Sequence, residues 1–234
     1  MNYLIIALSI LPVILIAIYY YKKDTLKEPK KLLRKLFFSG MLSGVLVIII
    51  SYITILFFPT YASIENANMF KIFIYSFVFV ALIEEVCKWL MIYKISYHHR
   101  DFDQLYDIIL YSVLVGLGFA CLENLLYTTS SNNIWVAVFR GITAIPAHAC
   151  FQTFMGYYLT LAKFKKDNQN KYKNLSLIIP VLLHGTYDFL LLSGNIVLVC
   201  SFFIFIVFLF IITIIKVKKI INIDKNNLNL DNNK

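Results

Sequence analysis

An all-α integral membrane protein of about seven transmembrane helices is the fold class this sequence predicts, and three observations predict it. Of 234 residues, 60% are hydrophobic and only 15% are charged, and the mean hydropathy is +0.74. A soluble domain of this length carries more charge and interrupts its apolar runs more often. Apolar runs that reach the roughly 20 residues needed to cross a bilayer recur along the whole chain. Basic residues collect in alternate connections between those runs, as topology in a membrane requires.

The runs, taken in order, cover residues 3–21, 37–58, 70–95, 107–127, 135–162, 175–193 and 195–215. The first, "MNYLIIALSILPVILIAIYYYKK", has no basic residue before its apolar stretch and no small-residue cleavage site after it. It is expected to be a retained span and not a removed signal peptide. The connection after it, "KKDTLKEPKKLLRK", holds seven Lys or Arg, and "KFKKDNQNKYK" holds five. Lys216, Lys218 and Lys219 follow the last run, whereas "PTYASIENAN", "TTSSNN" and "SGN" have no basic residue. This alternation puts the N-terminus outside and the C-terminus in the cytoplasm. The chain then reads as one polytopic membrane domain, 1–234, with a polar cytoplasmic tail at 222–234.

The net charge of +9 could indicate nucleic acid in a soluble protein. Here its placement between spans makes it a topology signal, and the partner it implies is the lipid bilayer. Cys87, Cys121, Cys150 and Cys200 lie in apolar runs without a CxxC pair and are expected to be small core residues. "KISYHHRDFDQLYD" carries a histidine pair, but no third ligand at helical spacing, and is expected to be a solvated cytoplasmic turn.

Ionisable groups at membrane depth are few and clustered. They are Glu84, Glu85 and Lys88 in the third run, Glu123 in the fourth, Arg140 and His148 in the fifth, and His184 and Asp188 in the sixth. Each costs about 2.5–3.5 kcal/mol at the centre of an inserting helix. Runs one, two and seven carry none, so spans 3–6 are expected to surround a polar interior with the other three packed outside. Lys88 follows Glu84 by four residues and Glu85 by three, so one helix face presents all three. His184 and Asp188 are likewise four apart, which lets the carboxylate accept from one ring nitrogen and orient the other. Pro146 and Pro180 precede the two histidines and are expected to break their helices beside a water-admitting cavity. Arg140, closer to the surface, is expected to snorkel.

These residues carry a resemblance. Glu84, Glu85 and Lys88 read as EExxK, and Phe119, Glu123 and Asn124 as FxxxEN, followed by His148 and by His184 with Asp188. In order and spacing, over about residues 70–190, they resemble the PrsW family of bacterial intramembrane proteases, within the group that includes CAAX prenyl-protein proteases and bacteriocin-processing enzymes. Glutamate at 123 and lysine at 88 depart from the CAAX-type pattern, which ends its first motif in arginine and has FxxxH as its second. The resemblance implies a bacterial cell-membrane enzyme that makes the first cut in a membrane-anchored anti-sigma factor, so releasing a sigma factor for a stress response.

Hydrolysing an amide needs an activated water, a stabilised oxyanion and a proton for the leaving amine. Glu84 or Glu85 is expected to be the general base, and His184, oriented by Asp188, the oxyanion stabiliser. His148 and Asn124 are candidates for the remaining donor roles, and Lys88 for holding the acid pair. Glu123 belongs to the supporting set. No G-x-S-x-G, GxGD or HExxH sequence is present, so serine, aspartyl and zincin chemistries lack support. Glutamates and histidines are zinc ligands in kind. No two histidines share a helix at i, i+4, however, and Lys88 already supplies positive charge, so metal-free chemistry is expected. The reading from another class is a proton-coupled transporter or channel that uses the same Glu, His and Asp residues as a proton path.

Overall fold

The computed structural model describes residues 3–232, and all regular structure among them is helical. Helices α1 (Tyr3–Lys23) and α2 (Lys30–Phe57) come first, joined by a short connection. A connection with a 3₁₀ turn (Pro59–Tyr61) leads to α3 (Met69–Ile74), a π-helical stretch (Tyr75–Leu82) and α4 (Ile83–Ile95), which run on as one rod. There follow α5 (Asp107–Ser131), α6 (Ile134–Ile142), α7 (Ala144–Phe164), α8 (Gln169–Leu192) and α9 (Ile196–Asn232).

Among the described residues, six stretches are helices long and apolar enough to cross a membrane: α1, α2, α5, α6 with α7, the segment 166–192, and α9 through Leu228. The rod over 69–95, expected as the third of seven, is divided by its π-helical middle and carries the buried charges.

α5 is the axis of the bundle. Every residue from Asp107 to Cys121 is buried, and α1, α2, α4, α6 and α7 pack around it. Lipid tails are as apolar as leucine, so helices in a bilayer associate through close packing rather than by escaping the solvent. Gly40 and Gly118 make that approach: a Cβ on Gly40 would stand 2.0 Å from the Val115 carbonyl oxygen, and one on Gly118 would stand 1.9 Å from that of Phe37. The outer faces of α1, α2 and α9 expose Leu15, Ile49 and Ile204 among many apolar side chains, which suits a lipid boundary.

One expected break is present and several other expectations change. Pro146 lies in the first turn of α7, where its ring would clash with the Ile142 carbonyl of a continuous helix, and the helix breaks there between α6 and α7. Pro180 produces no break, and α8 is continuous through it. The last helix does not end near 215 but continues to Asn232, with Ile220, Ile221 and Asp224 buried. Residues 233–234 of the expected tail lie outside the described residues. The "KISYHHRDFDQLYD" connection is not a solvated turn. Tyr97, Phe102, Tyr106 and Asp107 are buried, and Lys94, His98, Arg100 and Asp103 stand out. Cys87, Cys121 and Cys150 are buried as expected, but Cys200 is exposed on the outside of α9.

Candidate active site

The third run delivers its charges just after the π-helical stretch, a wider helix form that often sits beside functional sites. From the following α4, the Lys88 ammonium donates to Glu84 Oε2 at 3.1 Å and to Glu85 Oε1 at 2.8 Å. Lys88 is fully buried and also lies 3.9 Å from the centre of the Phe119 ring. An unpaired ammonium in that position would be very costly, and two carboxylates and a π face compensate it.

His184, on α8, places Nδ1 2.9 Å from Glu85 Oε1. Its Nε2 is 3.4 Å from Asp188 Oδ2 and 3.9 Å from Glu84 Oε2. The closest partner of this imidazole is therefore the distant Glu85 and not the Asp188 one turn away. Phe151 stacks on the His184 ring at 5.0 Å and 18° and fixes its plane. His148, on α7, stands edge-on to His184 with ring centres 5.2 Å apart. Lys88 Nζ lies 3.3 Å from His148 Nδ1. An ammonium only donates, so Nδ1 accepts and Nε2 carries the hydrogen that meets Glu123 Oε2 at 3.0 Å.

Glu123 belongs to the cluster, bonded also by Arg140 at 2.9 Å. Arg140 turns inward instead of snorkelling: its Nε donates to Asn124 Oδ1 at 3.0 Å, and its guanidinium lies 4.1 Å from the Tyr127 ring centre. Asn124 does not face the acid pair. It is fully buried, donates to the Ser9 carbonyl of α1 at 3.2 Å, and holds Arg140.

One partner was missed in the sequence. Gln152, one turn beyond His148 on α7, donates to Glu85 Oε2 at 2.6 Å. It reaches in over Gly116, where a Cβ would stand 2.2 Å from Gln152 Cγ. The i, i+4 spacing from His148 was the available signal, but glutamine carries no charge and drew no attention.

The two glutamates are thus unequal. Glu85 is fully buried, with both oxygens occupied by Lys88, His184 and Gln152. Among the described residues Glu84 has one hydrogen-bond partner, Lys88, and it lines a cavity of about 330 Å³. Glu123, Arg140, His148, His184 and Asp188 also line it, and it extends to Ile64 and to Leu192 at the end of α8.

Glu84, Glu85, His148 and His184 each offer a donor atom, and the four atoms lie within 4.8 Å of one another. Two imidazoles and two carboxylates fit zinc in kind and in spacing. In the present arrangement the Lys88 ammonium lies against three of these residues, so a metal ion would need it to withdraw.

A sequence profile described as PrsW family intramembrane metalloprotease matches residues 28–215. Protease PrsW of Oceanobacillus iheyensis is 37% identical over 80% of this chain and 82% of its own length. The Bacillus subtilis protein of that name is 35% identical over 86% and 90%, and that of Clostridioides difficile 30% identical over 93% and 92%. No solved structure matches the chain. With the profile covering most of the sequence and full-length relatives at this identity, the chain belongs to the PrsW family of intramembrane proteases.

Proposed function

We propose that this multi-pass membrane protease cuts a membrane-anchored anti-sigma factor, with Glu84 as the general base. The observation that carries the assignment is the asymmetry of the acid pair. Glu85 is saturated by three donors, while Glu84 borders the cavity from which water comes. Glu84 takes a proton from water, and the hydroxide attacks the amide carbon. His184 stabilises the oxyanion that forms. As the C–N bond breaks, the proton returns from Glu84 to the leaving amine. Glu85, held by Gln152 and Lys88, fixes His184 through Nδ1. His148, braced by Glu123 and Arg140, closes the other side of the pocket. In this reading the N-terminus is outside, which turns the cavity mouth at Ile64 and Leu192 outward.

A second reading rests on the four clustered donors. There Glu84, Glu85, His148 and His184 would hold zinc once Lys88 withdraws, and Lewis acidity is the chemistry such an ion would supply. Metal content of the purified protein, together with activity after chelation and re-addition, separates the two. Full activity in a metal-free preparation leaves the glutamate reading standing, and loss restored by zinc overturns it.

Co-expression with a tagged, membrane-anchored anti-sigma factor tests the function itself. A shortened product is expected with the native chain and none with the combined Glu84→Gln and Glu85→Gln form. An intact anti-sigma factor in both lanes would end the substrate assignment. Proton flux into proteoliposomes without peptide cleavage would instead favour the transporter reading.

A further inference from the structure

A second cavity, of about 520 Å³, lies away from the acid pair, between the basic ends of α1 and α9. Its volume is within the range of about 300–1,000 Å³ that small-molecule sites occupy. Lys22 and Lys23 converge on it from α1, and Lys218 and Lys225 from α9. All four are exposed. Among the described residues no carboxylate pairs with any of them, and Lys23 alone has a partner, the Tyr19 ring at 5.6 Å. Four like charges around one cavity repel one another, and an anion seated among them relieves the repulsion. Asp24 forms part of the wall and is 4% exposed. Its Oδ2 accepts from the Glu28 amide at 3.3 Å, while its Oδ1 is buried with no hydrogen-bond partner among the described residues. The cavity thus has a cationic rim and one spare acceptor. A ligand that suits both carries a phosphate-type anion and a hydroxyl that donates.

The setting decides between a dissolved anion and a lipid. α1 and α9 are both candidate spans. Lys22 and Lys23 close the apolar run of α1, and Lys218 and Lys225 follow that of α9. One turn back from Lys22 and Lys218, on the same helix faces, stand Ile18 and Ile214, which are 45% and 44% exposed. An apolar track therefore leads from the cavity along each helix toward hydrocarbon. Basic pockets between spanning helices are seats for anionic head groups. We propose that this cavity binds the head group of an anionic phospholipid of the phosphatidylglycerol kind. Its phosphate sits among the four lysines, its glycerol hydroxyl donates to Asp24, and its acyl chains run along Ile18 and Ile214. A zwitterionic head group fits poorly, because its own cation meets the lysine rim.

Occupancy ties the far end of α9 to α1. Ile221 lines the cavity, and Asp224, three residues on, shares its face of the helix. Asp224 in turn holds the backbone amides of Leu105 and Tyr106. The lipid therefore braces the helix that secures the start of α5, and the expected gain is in stability and not in rate. The site stands apart from the acid pair and holds whichever chemistry operates at Glu84.

The test uses the full-length protein, stripped of copurified lipid in a neutral detergent. Phosphatidylglycerol, phosphatidylcholine or inorganic phosphate is added, and the unfolding temperature is recorded. Phosphatidylglycerol should raise it by about 4 °C or more, and the other two by less than about 1 °C. The combined Lys22→Gln, Lys218→Gln and Lys225→Gln form should lose most of that rise. A matched form, Lys165→Gln, Lys166→Gln and Lys171→Gln, gives up the same charge at exposed positions around the start of α8 and should keep it. No rise with phosphatidylglycerol, or an equal loss in both forms, overturns the site. An equal rise with phosphatidylcholine or inorganic phosphate means that acyl chains or a dissolved anion suffice, and overturns it too. If the first combined form does not fold, Lys218→Glu alone decides, with at least about half of the rise expected to go.

Discussion

Two buried acidic groups at different levels of this molecule look alike in composition and differ in what they are tied to. In the candidate site, Glu84, Glu85 and Glu123 are held by side chains: Lys88, Arg140, Gln152 and two imidazoles. In the second group, around the start of α5, carboxylates are tied mainly to backbone. Asp107 accepts from the amides of Asp103 at 3.0 Å and Gln104 at 2.7 Å. Asp224 of α9 accepts from Leu105 at 3.1 Å and Tyr106 at 2.9 Å, and Glu28 takes a hydrogen bond from Tyr111. A carboxylate that satisfies backbone donors fixes a loop and has little left to offer. One held by side chains beside a cavity can exchange a proton without unravelling a helix. Burial of acids alone does not mark a site, and the identity of their donors separates chemistry from scaffolding.

The sharpest way to break this comparison is to remove one acid from each group. Glu84→Gln should lower cleavage of the membrane-anchored substrate by about 10²–10⁴-fold, with its unfolding temperature in detergent within about 2 °C of the native value. Retention of more than about a tenth of the activity would remove Glu84 as the base. Asp224→Ala should do the reverse. The buried Tyr106 amide and the part-buried Leu105 amide lose their acceptors, at about 1–3 kcal/mol each, and the unfolding temperature should fall by about 5–10 °C. Cleavage per folded molecule should stay within about threefold, and a larger fall in that rate would mean the second group serves the reaction.

The smallest effect sharpens the comparison through pH. Burial, reinforced by the charges of Asp24, Asp101 and Asp103, pushes the Glu28 carboxyl up to about 7 against the lowering effect of the Tyr111 hydrogen bond. The folded state therefore holds this proton more tightly than the unfolded chain. The resulting stability is fully present below the ordinary value of 4.5 and is lost as pH rises through about 7. Thermal unfolding followed from about pH 5 to about pH 8 should show a declining midpoint that Glu28→Gln flattens. Asp24, also raised by burial, keeps some slope in that variant. An unchanged slope would mean that Glu28 does not titrate with folding.

Much of the site was legible because helical spacing is a local property. Glu84, Glu85 and Lys88 share a face whatever surrounds them, and the bonds among them follow from that spacing. His184 and Asp188 share a face too, yet their separation of 3.4 Å is longer than the 2.9 Å from His184 to Glu85, because α4 packs closer to the ring than its own helix can turn. Arg140 was misjudged for a related reason. Depth along a helix was readable, but the break before α7 that points Arg140 at Glu123 was not. The loop over 96–107 looked polar by composition, and its burial depends on Asp224, more than a hundred residues away.

What the sequence determined by itself is membrane residence, the helical class and the inventory of costly groups on each helix, because bilayer partitioning and i, i+4 geometry are decided within single segments. Tertiary structure alone decided which glutamate is saturated and which borders a cavity, that Gln152 joins the acid pair across Gly116, and that lysines of α1 and α9 rim one cavity. Those outcomes depend on the rotation and distance of neighbouring helices. In a bilayer these are set by the close fit of small residues and not by any periodicity along one chain.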